Sequence, residues 1–273
     1  MTDKNIDLHS IGPSEAGFQI PALFVGHGSP MNAIEDTEFS RLWMNIGRSL
    51  PRPKAILCIS AHWETDGMRV TAMENPRTIH DFSGFPKPLF EMEYPAPGSP
   101  DLAQWIQEIL GPTVSLDFDW GIDHGAWSVL CRMYPEADIP VVQLSLDRTK
   151  TPASHYELGK ALRVLRRRGV LVVGSGNIVH NLRELVWKDV AYDWAVAFDE
   201  RVKELILSGD HESLIHYERL GESALRSVPT PEHFLPLLYI LALHDPKEAV
   251  TFFAEKVTLG SISMRSLMLG QDL

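Results

Sequence analysis

Cysteine, basic charge and long apolar runs are all scarce in this chain, and each shortage removes a class of protein. Only Cys58 and Cys131 occur. They fall inside an expected strand and an expected helix, and neither has a Cys-x-x-Cys partner, so both read as small buried hydrophobes. Lys and Arg number 25 against 36 Asp and Glu, a formal charge of -11. That balance repels phosphate backbones and anionic lipid. The one basic cluster, Arg166-Arg167-Arg168, ends an expected helix, where cations suit the negative end of the dipole and do not require nucleic acid. No apolar run is long enough to span a membrane. Residues 1–18 hold acids, Pro and Gly without an apolar stretch of signal-peptide length. The expectation is a cytoplasmic protein with neither nucleic acid nor membrane as partner, in which residues 1–18 form a flexible leader ahead of one domain over 19–273.

With 273 residues, 44% of them hydrophobic, the chain can bury roughly 70 to 75% of its unfolded surface around one core. Short apolar runs at 20–25, 55–59, 141–146 and 170–173 read as buried strands, and they alternate with amphipathic stretches. One helix starts at Ser99-Pro100 and stops at Gly111-Pro112. Another starts at Thr151-Pro152, carries Leu158, Ala161, Leu162 and Leu165 on one face, and ends before Gly169. This is the pattern of an α/β single domain, with a largely parallel or mixed central sheet flanked by helices. Beyond Tyr192 the spacing of Trp194, Val196, Ala197, Val202, Leu205 and Ile206 is helical. Residues 234–243 read as an apolar helix and 262–269 as a closing strand. The segment 74–97 holds six Pro or Gly together with Phe82, Phe85, Phe90 and Tyr94, which favours an ordered lid over disorder.

Four histidines stand in small-residue or proline-rich settings, three of them just past an apolar strand run. They are His27 in Gly26-His27-Gly28-Ser29-Pro30, His62 in Ser60-Ala61-His62-Trp63, His180 after Gly174-Ser175-Gly176-Asn177, and His233 in Thr230-Pro231-Glu232-His233. Side chains beyond the carboxyl ends of parallel strands converge on one crevice. Any one of these alone reads as a core histidine bonded to a neighbour; as a convergent set they read as a metal site. The 174–177 run also suits an anion nest, but it lacks the Lys and Ser/Thr of a P-loop and the third glycine of a dinucleotide fingerprint. Two readings stay open for the Glu232-His233 pair. Two histidines plus a carboxylate nominate Glu232, and three histidines nominate His233, since adjacent side chains point apart. His124, after Asp123, either orients a substrate or merely starts a helix. His9, His155, His211, His216 and His244 read as structural, and His80 belongs to the lid.

These segments, together with Thr78-Ile79-His80-Asp81-Phe82, Tyr94-Pro95-Ala96-Pro97-Gly98, Asp123-His124-Gly125 and Gln143-Leu144-Ser145, resemble the class III extradiol ring-cleaving dioxygenases of the 4,5-DOPA dioxygenase branch. The resemblance spans nearly the whole chain from Pro21. It implies a catalytic domain over 19–273 in which His27, His62 and His233 hold one metal. It makes His180 the acid/base residue, close enough to join the metal shell, and His124 the residue that binds or orients the catecholate. The wider family uses a glutamate as third ligand, whereas this branch places a histidine there. The partners implied are a small-molecule catechol and O2, the product is a ring-opened semialdehyde, and the active metal is Fe2+. Zn2+ suits three histidines too, but cannot supply a redox step. The rivals are a zinc-dependent hydrolase on the same ligands, a non-enzymatic binding protein, and a tetrapyrrole chelatase suggested by Gly-His-Gly-Ser alone. The last leaves His180 and Thr230 to His233 unexplained.

Overall fold

The computed structural model describes residues 19–270; the leader expected over 1–18 lies outside them. In chain order the elements are β1 (Ala22–Gly26), α1 (Glu38–Ser49), β2 (Ala55–Thr65), β3 (Arg69–Thr71), α2 (Lys87–Phe90), α3 (Pro100–Leu110) and β4 (Ser115–Asp117). There follow α4 (His124–Met133), β5 (Val141–Asp147), α5 (Pro152–Ala161), α6 (Arg163–Arg166), β6 (Val170–Gly176), α7 (Asp193–Leu207), α8 (His211–Ile215) and α9 (Glu222–Ser227). The chain closes with α10 (Leu235–Ala242), β7 (Val250–Phe253), β8 (Val257–Thr258), β9 (Ile262–Ser263) and β10 (Ser266–Leu269).

The eight-stranded sheet runs β4-β3-β5-β2-β6-β1-β10-β7. Its centre, β5-β2-β6-β1, is parallel, while β10 and β7 join antiparallel at one side and β3 meets β5 antiparallel at the other. The mixed α/β sheet expected from the sequence is therefore present. The central strands are predominantly apolar, and buried along almost their whole length, because both faces are covered. Phe24, Leu57 and Val172 enter one core; Leu23, Ile56 and Leu171 enter the other.

Two helices begin where the sequence signals placed them. Ser99 caps α3 through its hydroxyl and Thr151 caps α5, each with proline at the helix start. Elsewhere tertiary contacts overrule local pattern. β2 runs on through His62 to Thr65, six residues beyond the expected strand, so His62 lies inside a strand and not after one. The 174–177 run is no anion nest: through Gly176 it is β6, and the Asn177 amide donates to the His233 carbonyl at 2.9 Å. In α7 the buried face is Ala195, Phe198, Asp199, Val202, Leu205 and Ile206, whereas Val196 and Ala197 face water. The closing strand is broken at Met264 and Arg265, because the buried Arg265 guanidinium turns to Asp199, Nε to Oδ2 2.7 Å. Cys58 is buried as expected, but Cys131 only partly.

Arg166 ends a helix as expected, the last residue of α6, but its side chain does more than complement the dipole. It is fully buried and pairs with both Glu248 oxygens at 2.8 Å while donating to the carbonyls of Ile20, Leu243 and Leu269. One guanidinium thus ties the chain entering β1 to the ends of α10 and β10.

The all-apolar α10 is buried on every side, between β6 and α5. Gly176 allows this approach: a Cβ there would stand 2.2 Å from the His233 carbonyl oxygen. We expect Gly176→Ala to destabilise the protein by about 1 to 3 kcal/mol, as overpacking does, in urea unfolding. A second prediction concerns His155, which is buried and bonded to the Tyr239 hydroxyl at 2.9 Å. Burial pushes its pKa from 6.5 down to about 4. Between those values the folded protein binds fewer protons than the unfolded chain, so stability falls as pH falls. His155→Gln should flatten that slope by up to about 1.4 kcal/mol per pH unit, read from unfolding midpoints across the interval.

Candidate active site

The carboxyl ends of the central parallel strands deliver the histidines to one crevice. His27 follows β1, its amide bonded to the Gly176 carbonyl at 3.1 Å. His62 projects from an irregular part of β2, where that strand advances from Ile59 to Glu64 while β5 advances only from Leu144 to Leu146. Such a bulge re-aims a side chain out of the regular alternation. His180 lies just past β6, its amide bonded to the Ser227 carbonyl, and His233 lies in the turn before α10. His124 is the first residue of α4. The helix is capped by Asp123, whose carboxylate also accepts from Ser60 and Gln143 at 2.7 Å each. Gln143 and Ser60 therefore set where α4 begins, and so where His124 points.

Five imidazoles meet here. The Nε2 atoms of His27 and His62 are 3.2 Å apart, and the His62 and His124 ring centres 3.8 Å apart. The His233 ring centre lies 5.4 Å from that of His27 and 5.1 Å from that of His62, and His180 stacks on it at 3.4 Å. Two sets of three donors fall within 4.8 Å of one another: His27 with His62 and His124, and His180 with Glu232 and His233.

Oxygen atoms stand behind four of the rings, and at His27 and His233 they fix the tautomer. The Ser175 hydroxyl donates to the Gly125 carbonyl at 2.5 Å, so at 2.9 Å from His27 Nδ1 it acts as acceptor. That puts the proton on Nδ1 and leaves the Nε2 lone pair free. Glu232 Oε1 does the same for His233 Nδ1 at 2.9 Å, and is itself held by the Thr230 hydroxyl. Asp81 serves two rings, its oxygens 3.2 Å from His62 Nδ1 and 2.9 Å from His124 Nδ1. The His233 Nε2 is buried without any partner.

Electrostatics favour the neutral form at four of the rings, His27, His124, His180 and His233. Burial first, and then the neighbouring imidazoles, hold His27 and His233 well below the usual histidine value. His124 is also lowered, by burial and by His62, against the pull of Asp81. His180 is pushed down to about 3 by burial, then by His62 and His124. Burial works to raise the Asp81 carboxyl, but His124 and His62 outweigh it and hold that group far below the carboxylate range. Neutral, unprotonated nitrogen is the form that binds metal, so the donor set fits a metal cofactor.

Above the rings opens a cavity of about 450 Å³, walled by the imidazoles at its floor and by Phe82, Phe85, Leu185, Trp187 and Leu259 further out. The expected lid does contribute to it, through Asp81, Phe82 and Phe85. His80, the lid histidine, instead turns to the Met92 carbonyl at 2.9 Å. Asp81 and Ser175 were missed as functional residues. Asp81 sits inside a quoted motif, but only the fold shows which histidines it backs.

Strand-end imidazoles with fixed tautomers under an apolar cavity define an α/β enzyme cleft. A family profile described as the catalytic LigB subunit of aromatic ring-opening dioxygenase matches residues 21–265, and the chain belongs to that family. It is therefore a dioxygenase. A 4,5-DOPA dioxygenase extradiol of Escherichia coli K12 is 51% identical over 259 residues, covering 92% of this chain and 95% of that protein. One of the same name from Beta vulgaris is 43% identical over 223 residues, covering 79% and 83%. The crystal structure of an uncharacterized Escherichia coli K12 protein superposes with a TM-score of 0.81 at 46% identity, covering 92% of this chain and 100% of that one. These relatives lend the hydrolase rival no support.

We expect Asp81→Asn to weaken metal binding about 10- to 100-fold, as loss of a ligand's hydrogen-bond partner does, in a chelator-competition titration.

Proposed function

We propose that this chain opens the ring of a DOPA-like catechol with O2, by extradiol cleavage at one metal held by His27, His62 and His233. The observation that carries the ligand choice is the His233 Nε2, buried and unpartnered while its Nδ1 is anchored on Glu232. A carboxylate engaged behind His233 and by Thr230 supports Glu232 as the orienting group, not as the ligand. The same Nδ1 anchoring at His27 and His62, with Nε2 atoms 3.2 Å apart, supports those two. The metal is ferrous iron, which supplies the electron path between catechol and O2 that zinc, lacking a second accessible oxidation state, cannot.

The residues around it bind, orient and move protons. His180 enters as a neutral imidazole, the form that accepts a proton from a catechol hydroxyl. An anionic catecholate beside it then raises its proton affinity, so the same ring can return the proton later. His124, locked between the α4 start and Asp81, orients the ring oxygens. Phe82 packs edge-on to His124, centres 5.4 Å apart, and shields the site from water. The catalytic domain spans residues 19–273. Among the described residues no helix is long and apolar enough to cross a membrane, and the two free thiols agree with a cytoplasmic location.

Anaerobic loading with ferrous iron, then addition of DOPA and air, should give a yellow product with one O2 consumed per catechol. Absence of uptake with every catechol tried would overturn the proposal. His180→Ala should keep its metal and lose turnover by about 10²- to 10⁴-fold, whereas His27→Ala and His62→Ala should lose the metal itself. Equal metal loss in His180→Ala would make His180 a ligand.

A further inference from the structure

The cavity above the imidazoles changes character from floor to mouth. His27 and His233 at the floor are at most 6% exposed, while Leu182 and Trp187 at the mouth are 62% and 70% exposed. Phe85, Leu185 and Leu259 continue the same wall. Among the described residues that line it there is no Lys or Arg, and its single carboxylate, Asp81, is already engaged by His62 and His124. The neighbouring Arg183 and Lys188 are exposed and form none of its walls. Scattered exposed hydrophobes are ordinary, but two large ones at the mouth of one cavity, continuous with its apolar wall, form a binding surface.

That surface is held in place before any ligand arrives. The segment bearing Leu185 and Trp187 is clamped to the turn before β9 by three backbone bonds: Val186 amide to Leu259 carbonyl at 3.0 Å, Gly260 amide to Val190 carbonyl at 2.8 Å, and Tyr192 amide to Gly260 carbonyl at 3.0 Å. Leu259 is kept at φ 51, a left-handed conformation that leucine disfavours. Strain of this kind at a cavity wall persists only where the surroundings enforce it.

We infer that the outer half of the cavity is a subsite for an uncharged, apolar substituent on the catechol ring, with Trp187 and Leu185 as the residues that set this specificity. This rests on the ring-cleavage reading, which puts the two catechol oxygens at the imidazole floor and leaves the ring's tail directed at the mouth. Each tail methylene moved from water onto this wall improves binding about fourfold. An ammonium or carboxylate carried on the same tail finds no opposite charge there and must either lose water unpaired or hold the tail away from the wall. The net charge of -11 further disfavours an anionic tail. DOPA is then accepted through its ring, while its amino-acid head remains in solvent.

Four catechols with short alkyl tails at the same ring position separate the effect of charge from that of ring chemistry: 4-propylcatechol, dopamine, 3-(3,4-dihydroxyphenyl)propionate and DOPA. Titration calorimetry on the ferrous-loaded protein without oxygen should rank 4-propylcatechol tightest, by about tenfold over each charged analogue. Oxygen-uptake kcat/KM values should follow the same order. Trp187→Ala should shrink the 4-propylcatechol to DOPA ratio at least threefold, and Trp187→Arg should move preference towards the propionate. DOPA binding as tightly as 4-propylcatechol, or a ratio unchanged in Trp187→Ala, overturns the subsite. Failure to turn over any of the four overturns the ring-cleavage reading instead, and the calorimetric order still decides the subsite.

Discussion

Five imidazoles packed this closely resist being charged together. Two imidazolium ions 5 Å apart would repel by about 3 kcal/mol even at an effective dielectric of 20, and burial adds a larger penalty for each charge. The depressed pKa values of His27, His124, His180 and His233 are the outcome, with burial the leading cause in every case. At His27 and His233 neutrality leaves one lone pair per ring, and the oxygens of Ser175 and Glu232 decide that it is the Nε2 one. A cluster of largely buried imidazole nitrogens backed by two carboxylates, Asp81 and Glu232, is an environment that a divalent cation completes.

Placing the rings is the task of the backbone. β1, β2 and β6 are adjacent parallel strands, so their carboxyl ends open on the same side. β1 and β6 end in glycine, and the lack of a side chain on Gly176 lets the His233 turn settle against the sheet. Arg166 fastens the opposite end of α10 to β1 and β10, which fixes the helix that follows His233. The site is held by strands and helix starts on one side and by the 74–97 segment on the other. Its apolar mouth is completed by Leu182, Leu185, Trp187 and Leu259, from parts of the chain outside both.

The parallel core was readable because strands covered on both faces are mostly apolar, and α3 and α5 because Ser-Pro and Thr-Pro pairs act locally on the next turn. Five of the histidines that matter were also readable, from their place beside those strands and from the family motifs. What failed to show is what depends on distant contacts. The reach of β2 through His62 comes from pairing with β5 and from a bulge that no local pattern announces. That Arg166 is more than a helix-end cation stayed hidden because its partner, Glu248, is 82 residues away. The outward Val196 and Ala197 mislead for the same kind of reason, since α7 buries Asp199 to meet Arg265, and so turns a face that hydrophobicity alone would not choose.

By itself, then, the sequence determined the kinds of atoms available: apolar strands, strand-end imidazoles, and an aromatic, proline-rich segment long enough to cover them. The tertiary structure alone decided which nitrogen of His27 and of His233 is free, that Asp81 backs His62 and His124 together, and that Trp187 borders the same cavity. The reason is physical. A ring's tautomer is set by what lies within about 3 Å, and here that neighbour, Ser175 for His27, is 148 residues away along the chain.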